Sequence, residues 1–346
     1  MTIKTTANRP WVILLWKCSV KWFKEKIMDH AGNPQVKPTL VVALGGNALI
    51  RKGQQGTISE QFETLRVPIG QIAALAGEYN IIITHGNGPQ VGNLLLQQES
   101  CHAAPKLPLE ILVAQTQGQL GYMIESVLDE ALMEQGVGFQ PLVSLITYVV
   151  VDRKDPAFTH PTKPIGPCFT ATEAENLAYP TMQTPKGFRR VVASPKPVTI
   201  IEKREIQRLI NAGFMVVCCG GGGIPVVRKG RAFNGVDAVI DKDLVSSLLA
   251  TEVGAELLVI ATDVPGVMAD FGSPSESLIR NLSLKQAEDF LEHETVGQGS
   301  MGPKLEASVR FLSAGGKRAV ITSVDDIVAG VTGSKGTQIT DAERNM

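Results

Sequence analysis

The sequence predicts an α/β protein with a mostly parallel sheet that helices cover on both faces. Short continuous apolar runs, such as Leu40–Leu44 and Leu257–Thr262, recur along the chain and suit strands that are buried on both sides. Segments with helical periodicity separate these runs. Glycine-rich turns follow several of the runs, at the positions where parallel strands lead into helices and ligands bind.

The elements follow in order along the chain. The apolar runs predict strands at Leu40–Leu44, Ile81–Thr84, Pro141–Val151, Phe214–Cys219, Leu257–Thr262 and Ala319–Ser323. Periodicity predicts helices at about residues 59–78, 89–100, 110–135, 202–212, 242–253, 284–292 and 302–315. Between Asp152 and Pro197 the chain is rich in proline, glycine and charge, and we expect a small folded insertion with a strand at "RRVVA".

The composition is that of an ordinary soluble protein. The chain has 346 residues, enough for one large domain or two lobes, and its formal net charge of -1 gives no basic field for nucleic acid. The five cysteines form no paired metal-ligand spacing. Because Cys218 and Cys219 end an apolar run, we expect buried thiols and a reducing, cytoplasmic setting.

Residues 1–37 differ from the rest and contain all three tryptophans, Trp11, Trp16 and Trp22. Their apolar part is too short to span a bilayer, and no small-residue cleavage site follows it. The alternatives are a flexible extension, an interfacial amphipathic segment, or upstream sequence translated from a start codon set too early. In the last case Met28 would be a natural start. We expect an appended, dispensable segment with no role at a membrane.

Three glycine-rich turns predict an anion site at one edge of the sheet. They are "LGGN" after the first strand, "THGNGPQVG" after the second and "CCGGGGIPV" after a later strand. Backbone amides in such turns bind phosphates. The Walker pattern GxxxxGK[ST] and the Rossmann pattern GxGxxG are both absent, which argues against a P-loop nucleotidase and against a dehydrogenase.

Three lysines stand at places that suit the same site. Lys242 lies between two aspartates in "AVIDKDL", and Lys304 lies in "GQGSMGPKLEAS", where Pro303 suits the first turn of a helix. Lys163 lies in "HPTKPIGP" within the insertion. An isolated exposed lysine is normally a solvated surface group. Here each lysine is embedded among glycines, prolines or acids, so we interpret them as functional.

Eight stretches resemble carbamate kinases, a branch of the amino-acid kinase superfamily. They are "VVALGGNAL", "HGNGPQVGNLLLQQ", "TQGQLGY", "PTKPIGP", "RRVVASPKP", "GGGGIPVV", "AVIDKDL" and "GSMGPKLEA". The resemblance covers residues 38–346 and implies a three-layer αβα sandwich with a small protruding insertion subdomain at 152–197. It also implies an acceptor half at 38–213 and a nucleotide-binding half at 214–346.

The resemblance implies reversible phosphoryl transfer, ATP + carbamate ⇌ ADP + carbamoyl phosphate. The enzyme would bind ATP or ADP with Mg²⁺, act in the cytoplasm in arginine metabolism or similar nitrogen-compound catabolism, and form a homodimer. Sister kinases carry a lysine shortly before the first glycine pair, and this chain has none there. In carbamate kinases that charge is thought to come from the insertion, which corresponds here to Lys163.

The resemblance also implies the roles of the site residues. The catalytic residues would be Lys163, Asp241, Lys242 and Lys304. Of these, Asp241 would orient Lys242 and Lys304. The acceptor and the transferred phosphoryl group would bind at Gly45, Gly46, Asn47, Gly86, Asn87, Gly88, Gly221 and Gly222. The nucleotide would be contacted by Lys242, Asp263, Ser300, Met301 and Lys304, and no protein ligand for a metal is expected.

Some positions depart from the family pattern and leave alternatives open. The stretch after Asp263 reads "VPGVMADFGSPSE", and "TPKG" replaces an acidic segment before "RRVV". One alternative is a related kinase with another small anionic acceptor. Another is a catalytically silent nucleotide-binding or regulatory protein.

Overall fold

The computed structural model describes residues 37–51, 53–101, 103–138, 140–184, 187–293 and 301–341. The expected extension at 1–37 therefore lies outside the described residues except for Lys37, as does Ser300. Of Asn47 the structure describes only the backbone, in a short 3-10 helix at Gly46–Ala48. The predicted division of the chain into an extension and two halves stays a prediction.

Seventeen strands and nine α-helices occur in the described residues. The strands are β1 Thr39–Leu44, β2 Asn80–His85, β3 Leu142–Ser144, β4 Tyr148–Val151, β5 Lys163–Phe169, β6 Thr181–Thr184, β7 Gly187–Val192, β8 Pro197–Ile200, β9 Met215–Val217, β10 Ile224–Lys229, β11 Ala232–Gly235, β12 Leu257–Thr262, β13 Met268–Ala269, β14 Ser277–Leu278, β15 Asn281–Ser283, β16 Arg318–Ser323 and β17 Thr337–Thr340. The helices are α1 Ile58–Ala74, α2 Gly88–Ser100, α3 Leu109–Glu134, α4 Ala171–Glu175, α5 Lys203–Asn211, α6 Lys242–Glu252, α7 Leu284–Glu292, α8 Met301–Ser313 and α9 Ile327–Val331.

The central sheet has eight strands in the order β15-β17-β16-β12-β1-β2-β9-β3. Every neighbouring pair is parallel except β16 with β17. Alternate residues of β1 enter two different cores: Val41 packs with α6 and α8, and Val42 packs with α1 and α3. Since strand side chains alternate between the faces, the sheet lies between two helix layers, and the predicted αβα sandwich is confirmed.

A second, four-stranded sheet of order β11-β10-β4-β8 stands beside the central one. The predicted single strand Pro141–Val151 is wrong, because this stretch forms β3 in the central sheet and β4 in the second sheet. The chain changes sheets at Thr147, whose backbone N–H donates to the side chain of Gln117 instead of to a strand. A continuous apolar run gives no sign of such a change.

The insertion contains a three-stranded antiparallel sheet of order β5-β7-β6, and β7 covers most of the strand expected at "RRVVA". Two of its apolar side chains, Ile165 and Val192, pack with Val91 of α2, with α3 and with β10 in a third core. This contact brings the start of β5, with Lys163, over the carboxyl end of the central sheet.

Within the described residues, no helix combines the length and the hydrophobicity that crossing a bilayer requires. Cys218 and Cys219 are buried free thiols, as predicted.

Candidate active site

The three glycine-rich turns meet at the carboxyl edge of the central sheet. Gly45 and Gly46 follow β1, and Gly86 follows the neighbouring β2. A methyl group built on Gly86 would lie 3.6 Å from the Gly46 nitrogen and 3.7 Å from Cδ of Lys242. The first two turns therefore lie side by side, with the Lys242 side chain next to them.

The third turn, Gly220–Gly223, packs so closely that side chains are excluded. Gly221 has φ +66°, and a Cβ there would lie 2.1 Å from Nδ2 of Asn87. A Cβ on Gly220 would lie 2.4 Å from Nε2 of His85, and one on Gly222 would lie 2.3 Å from the carbonyl oxygen of Ile240. Only glycine fits these positions, because neighbouring protein atoms occupy the space that a Cβ would need.

The amino terminus of α2 lies at the same place. Asn87 is the residue before the helix, but its side chain makes no capping bond and instead donates from Nδ2 to Oγ1 of Thr116 over 2.8 Å. The N–H groups at the start of a helix have no partner within the helix, and Pro89 in this first turn has no N–H at all. The positive end of a 13-residue helix thus faces the glycine turns, which favours a bound anion.

Helix α3 fixes the position of the third turn. Gln117 donates from Nε2 to the carbonyl oxygen of Gly220 over 3.2 Å and accepts from the backbone N–H of Thr147 over 2.9 Å. Both Thr116 and Gln117 are buried. Sequence reasoning assigned them no individual role, although they begin the stretch "TQGQLGY" that resembles carbamate kinases.

His85 is fully buried and uncharged at neutral pH. Its Nδ1 lies 3.0 Å from the carbonyl oxygen of Gly86, and because a carbonyl can only accept, Nδ1 carries the proton. Burial, together with the charge of Lys242, lowers the pKa of His85 to about 4. The imidazole supports the second glycine turn without adding charge to the site.

Lys242 and Lys304 are joined by one carboxylate, that of Asp243. Nζ of Lys304 lies 3.0 Å from Oδ2 of Asp243, and Nζ of Lys242 donates to Oδ1. Little of these side chains is exposed: 13% of Lys242, 9% of Lys304 and 4% of Asp243. Burial lowers the pKa of Lys242, while Asp243 acts to keep it charged. For Asp243 burial acts to raise the pKa, but the two ammonium groups outweigh it and hold the pKa below its usual value.

Asp243, not Asp241, contacts both lysines in the structure, and the orienting role expected for Asp241 stays a prediction. Asp241 instead caps α6, accepting from the backbone N–H of Asp243 over 2.9 Å. Its other oxygen, Oδ2, lies 2.9 Å from Nζ of Lys163. A helix that starts at Lys242 makes the preceding aspartate its cap, and this leaves the following aspartate to the lysines.

The remaining predicted residues lie at the same edge or outside the described part. Asp263 directly follows β12, the neighbour of β1, and accepts from Oγ1 of Thr262 over 3.1 Å. Met301 is the first residue of α8, which carries Lys304 one turn later. The structure thus brings Lys163, Lys242 and Lys304 to one edge together with all three glycine turns.

Comparison with known proteins gives one consistent result. The family model described as the amino acid kinase family matches residues 38–323. A carbamate kinase from Pyrococcus horikoshii is 43% identical over 310 residues, which are 87% of this chain and 98% of that protein. One from Haemophilus influenzae is 43% identical and covers 87% and 96%. The solved carbamate kinase from Giardia lamblia bound to AMP-PNP is 36% identical, with a TM-score of 0.82 over 88% of this chain and 99% of that one.

Proposed function

This chain belongs to the amino acid kinase family, and we infer that it is a carbamate kinase that catalyses ATP + carbamate ⇌ ADP + carbamoyl phosphate. The observation that carries this inference is the meeting of two buried, Asp243-bridged lysines with three glycine turns at one sheet edge. Carbamate is already an anion, so its oxygen attacks phosphorus without a general base. The site needs to align two anions and neutralise the charge between them.

The glycine turns and the start of α2 hold the acceptor and the transferred phosphoryl group in this proposal. The residues concerned are Gly45, Gly46, Asn47, Gly86, Asn87, Gly88, Gly221 and Gly222. Their backbone amides point a fixed set of donors at the oxygens that gain charge during transfer. Because these donors are held by packing, they need no reorganisation when the reaction occurs.

The lysines neutralise the charge from the opposite side. Lys242 and Lys304 contact the nucleotide phosphates, and Asp243 holds both ammonium groups in place. The γ-phosphoryl group then breaks its bond to the ADP oxygen and forms one to the carbamate oxygen, or the reverse. Lys163 completes the site when it leaves Asp241 and binds the transferred phosphoryl group. Loss of such a donor typically lowers the rate by about 10²–10³-fold.

The nucleotide is proposed to arrive with Mg²⁺ held by phosphate oxygens and water, as this ion prefers. The carboxylates at the site suit a metal bound through the nucleotide better than a metal bound directly by protein side chains. Asp243 is occupied by two lysines, and Asp241 by Lys163 and a backbone N–H. Within the described residues no group of three or more His, Cys, Asp or Glu side chains could hold a metal. The ion would supply charge neutralisation, and Asp263, Ser300 and Met301 would contact the nucleotide beside it.

We further propose a homodimer in the cytoplasm that makes ATP from carbamoyl phosphate in nitrogen-compound catabolism. The outer surfaces of α1 and α3 expose Val67, Tyr122 and Met133, with Tyr122 67% exposed. An apolar surface of this kind suits contact with a second copy. The free thiols of Cys218 and Cys219 fit a reducing compartment.

The test is ATP formation from ADP, Mg²⁺ and carbamoyl phosphate, with acetyl phosphate as a matched second donor. We expect ATP from carbamoyl phosphate and far less from acetyl phosphate. Faster ATP formation from another acyl phosphate would show that the acceptor is a different small anion and not carbamate. Tight ADP binding without transfer from any donor would identify a silent nucleotide-binding protein.

A further inference from the structure

In the structure the insertion contacts the lysine site through Lys163, and in the proposed reaction this lysine changes partners. Lys163 pairs with Asp241 at 2.9 Å, and this ion pair links the insertion directly to the lysine site. In the proposed reaction Lys163 leaves Asp241 for the phosphoryl group, so the pair cannot also hold the insertion. The apolar packing of Ile165 and Val192 in the third core also stabilises the insertion. Because such packing is non-directional, it does not by itself fix the orientation of the insertion.

Directional contacts lie close to Lys163 in the insertion sheet, around Arg190 of β7. Nη2 of Arg190 lies 2.9 Å from Oδ2 of Asp237, and the guanidinium carbon lies 4.9 Å from the centre of the Tyr179 ring. The Tyr179 hydroxyl donates to Oε1 of Glu99 over 3.0 Å. The Arg190 side chain is 19% exposed. We call Tyr179, Arg190 and Asp237 the latch.

The latch connects the insertion to the two elements that carry the rest of the site. Glu99 lies on α2, whose amino terminus is at the glycine turns. Asp237 lies in the segment that leads to Asp241, and in that segment the N–H of Val239 also donates to the carbonyl oxygen of Ala193 over 3.0 Å. A shift of β7 would therefore disturb contacts with α2, which begins at the glycine turns, and with the segment that leads to Asp241.

The same strand pairing connects the latch to Lys163. Arg190 is opposite Ile165 in the ladder between β5 and β7, and Lys163 is opposite Val192. Residues two apart on a strand share a face, so Arg190 lies on the face that carries Lys163. A shift of Arg190 would therefore also displace Lys163, because only one residue pair of the β5–β7 ladder separates their two positions.

We propose that Tyr179, Arg190 and Asp237 are positioning residues that hold the insertion on the body of the protein while Lys163 moves from Asp241 to the phosphoryl group. This rests on the proposed role of Lys163. The latch itself touches no reacting atom. An exposed ion pair alone contributes little, so the directional strength comes from the mostly buried guanidinium, which the ring and the carboxylate hold in one orientation.

The first test does not depend on activity. Hydrogen exchange is measured for wild type, Arg190→Gln and Asp237→Asn, with Lys335→Gln as the control that breaks a different surface ion pair, Lys335–Asp326. Asp237 is 60% exposed, so its amide variant keeps the fold. We expect amides of β5 and β7 to exchange at least about tenfold faster in both latch variants, with β12 unchanged. Unchanged exchange in β5 and β7 would overturn the proposal.

The second test is a double-mutant cycle on the rate of ATP formation. Arg190→Gln is expected to lower kcat about 10- to 100-fold, the size expected when a catalytic group is slightly misplaced. In the Lys163→Ala background the same change should cost almost nothing, because the group it positions is gone. Equal losses in both backgrounds, or a loss larger than that of Lys163→Ala, would show that Arg190 does not act through Lys163. If wild type forms no ATP, the proposed function fails, and the exchange experiment still decides whether the latch holds the insertion.

Discussion

Protonation of His85 should make the protein lose stability between pH 6.5 and pH 4. The ordinary pKa of an unfolded histidine is 6.5, and burial lowers that of His85 to about 4. As the pH falls through this window, the unfolded chain binds a proton that the folded chain does not. The contribution of His85 is therefore fully present above pH 6.5 and is lost as the pH falls towards 4.

The size of the effect follows from these two values. Each tenfold change in proton affinity is worth about 1.4 kcal/mol, so the free energy of unfolding falls by about 3 kcal/mol when the pH reaches 4. Between pH 7 and pH 5 the loss is about 2 kcal/mol. His85→Gln keeps a side-chain donor near the carbonyl oxygen of Gly86 but cannot take up the proton.

Urea unfolding at pH 7 and pH 5 measures the effect in wild type, in His85→Gln and in His160→Gln, which replaces an exposed histidine of the insertion. Wild type and His160→Gln should each lose about 2 kcal/mol more than His85→Gln over this interval. The comparison cancels the titration of the carboxyl groups, which all three proteins share. An equal loss in all three would refute the assignment of His85 as a buried neutral imidazole.

Two further predictions concern the glycine turn and the bridging carboxylate. Gly221→Ala places a Cβ against the Asn87 amide, and we expect a loss of about 2–4 kcal/mol in unfolding free energy with a fall in ATP formation. Gly230→Ala is the matched control, with a similar positive φ and open space around it, and it should lose only about 1–2 kcal/mol with activity retained; equal effects would contradict the packing argument. Asp243→Asn removes the charge between two buried lysines and should cost about 3–5 kcal/mol by urea unfolding. Asp326→Asn, which breaks a more exposed ion pair, should cost less than about 1 kcal/mol, and equal costs would mean that Asp243 is not holding the lysines.

The layers of the fold could be predicted from sequence because both cores depend on simple periodicity. The run Leu257–Thr262 forms a strand with the predicted bounds, and every one of its residues is buried. The change of sheet at Thr147 could not be predicted in this way. It depends on a hydrogen bond that the Thr147 backbone N–H donates to Gln117, thirty positions away, and strand periodicity carries no information about such a partner.

The candidate site was predictable where it depends on residue type and not where it depends on orientation. Glycines and lysines signal phosphate chemistry, and Lys242 and Lys304 do lie together. Which aspartate joins them is decided by where α6 begins, since Asp241 caps the helix and Asp243, two residues later, lies in its first turn. The latch could not be predicted from the sequence, because it joins two residues of the insertion to Asp237 in the segment before α6.

The most direct test of the central claim is the rate of ATP formation from ADP and carbamoyl phosphate by Lys304→Ala, measured beside wild type and Lys317→Ala. Lys304 is buried against Asp243, whereas Lys317 forms an exposed ion pair with Glu256. We predict a loss of about 10²–10³ in kcat for Lys304→Ala and an unchanged rate for Lys317→Ala. ATP formation by Lys304→Ala at the wild-type rate would contradict the assignment of this lysine site as the centre of phosphoryl transfer.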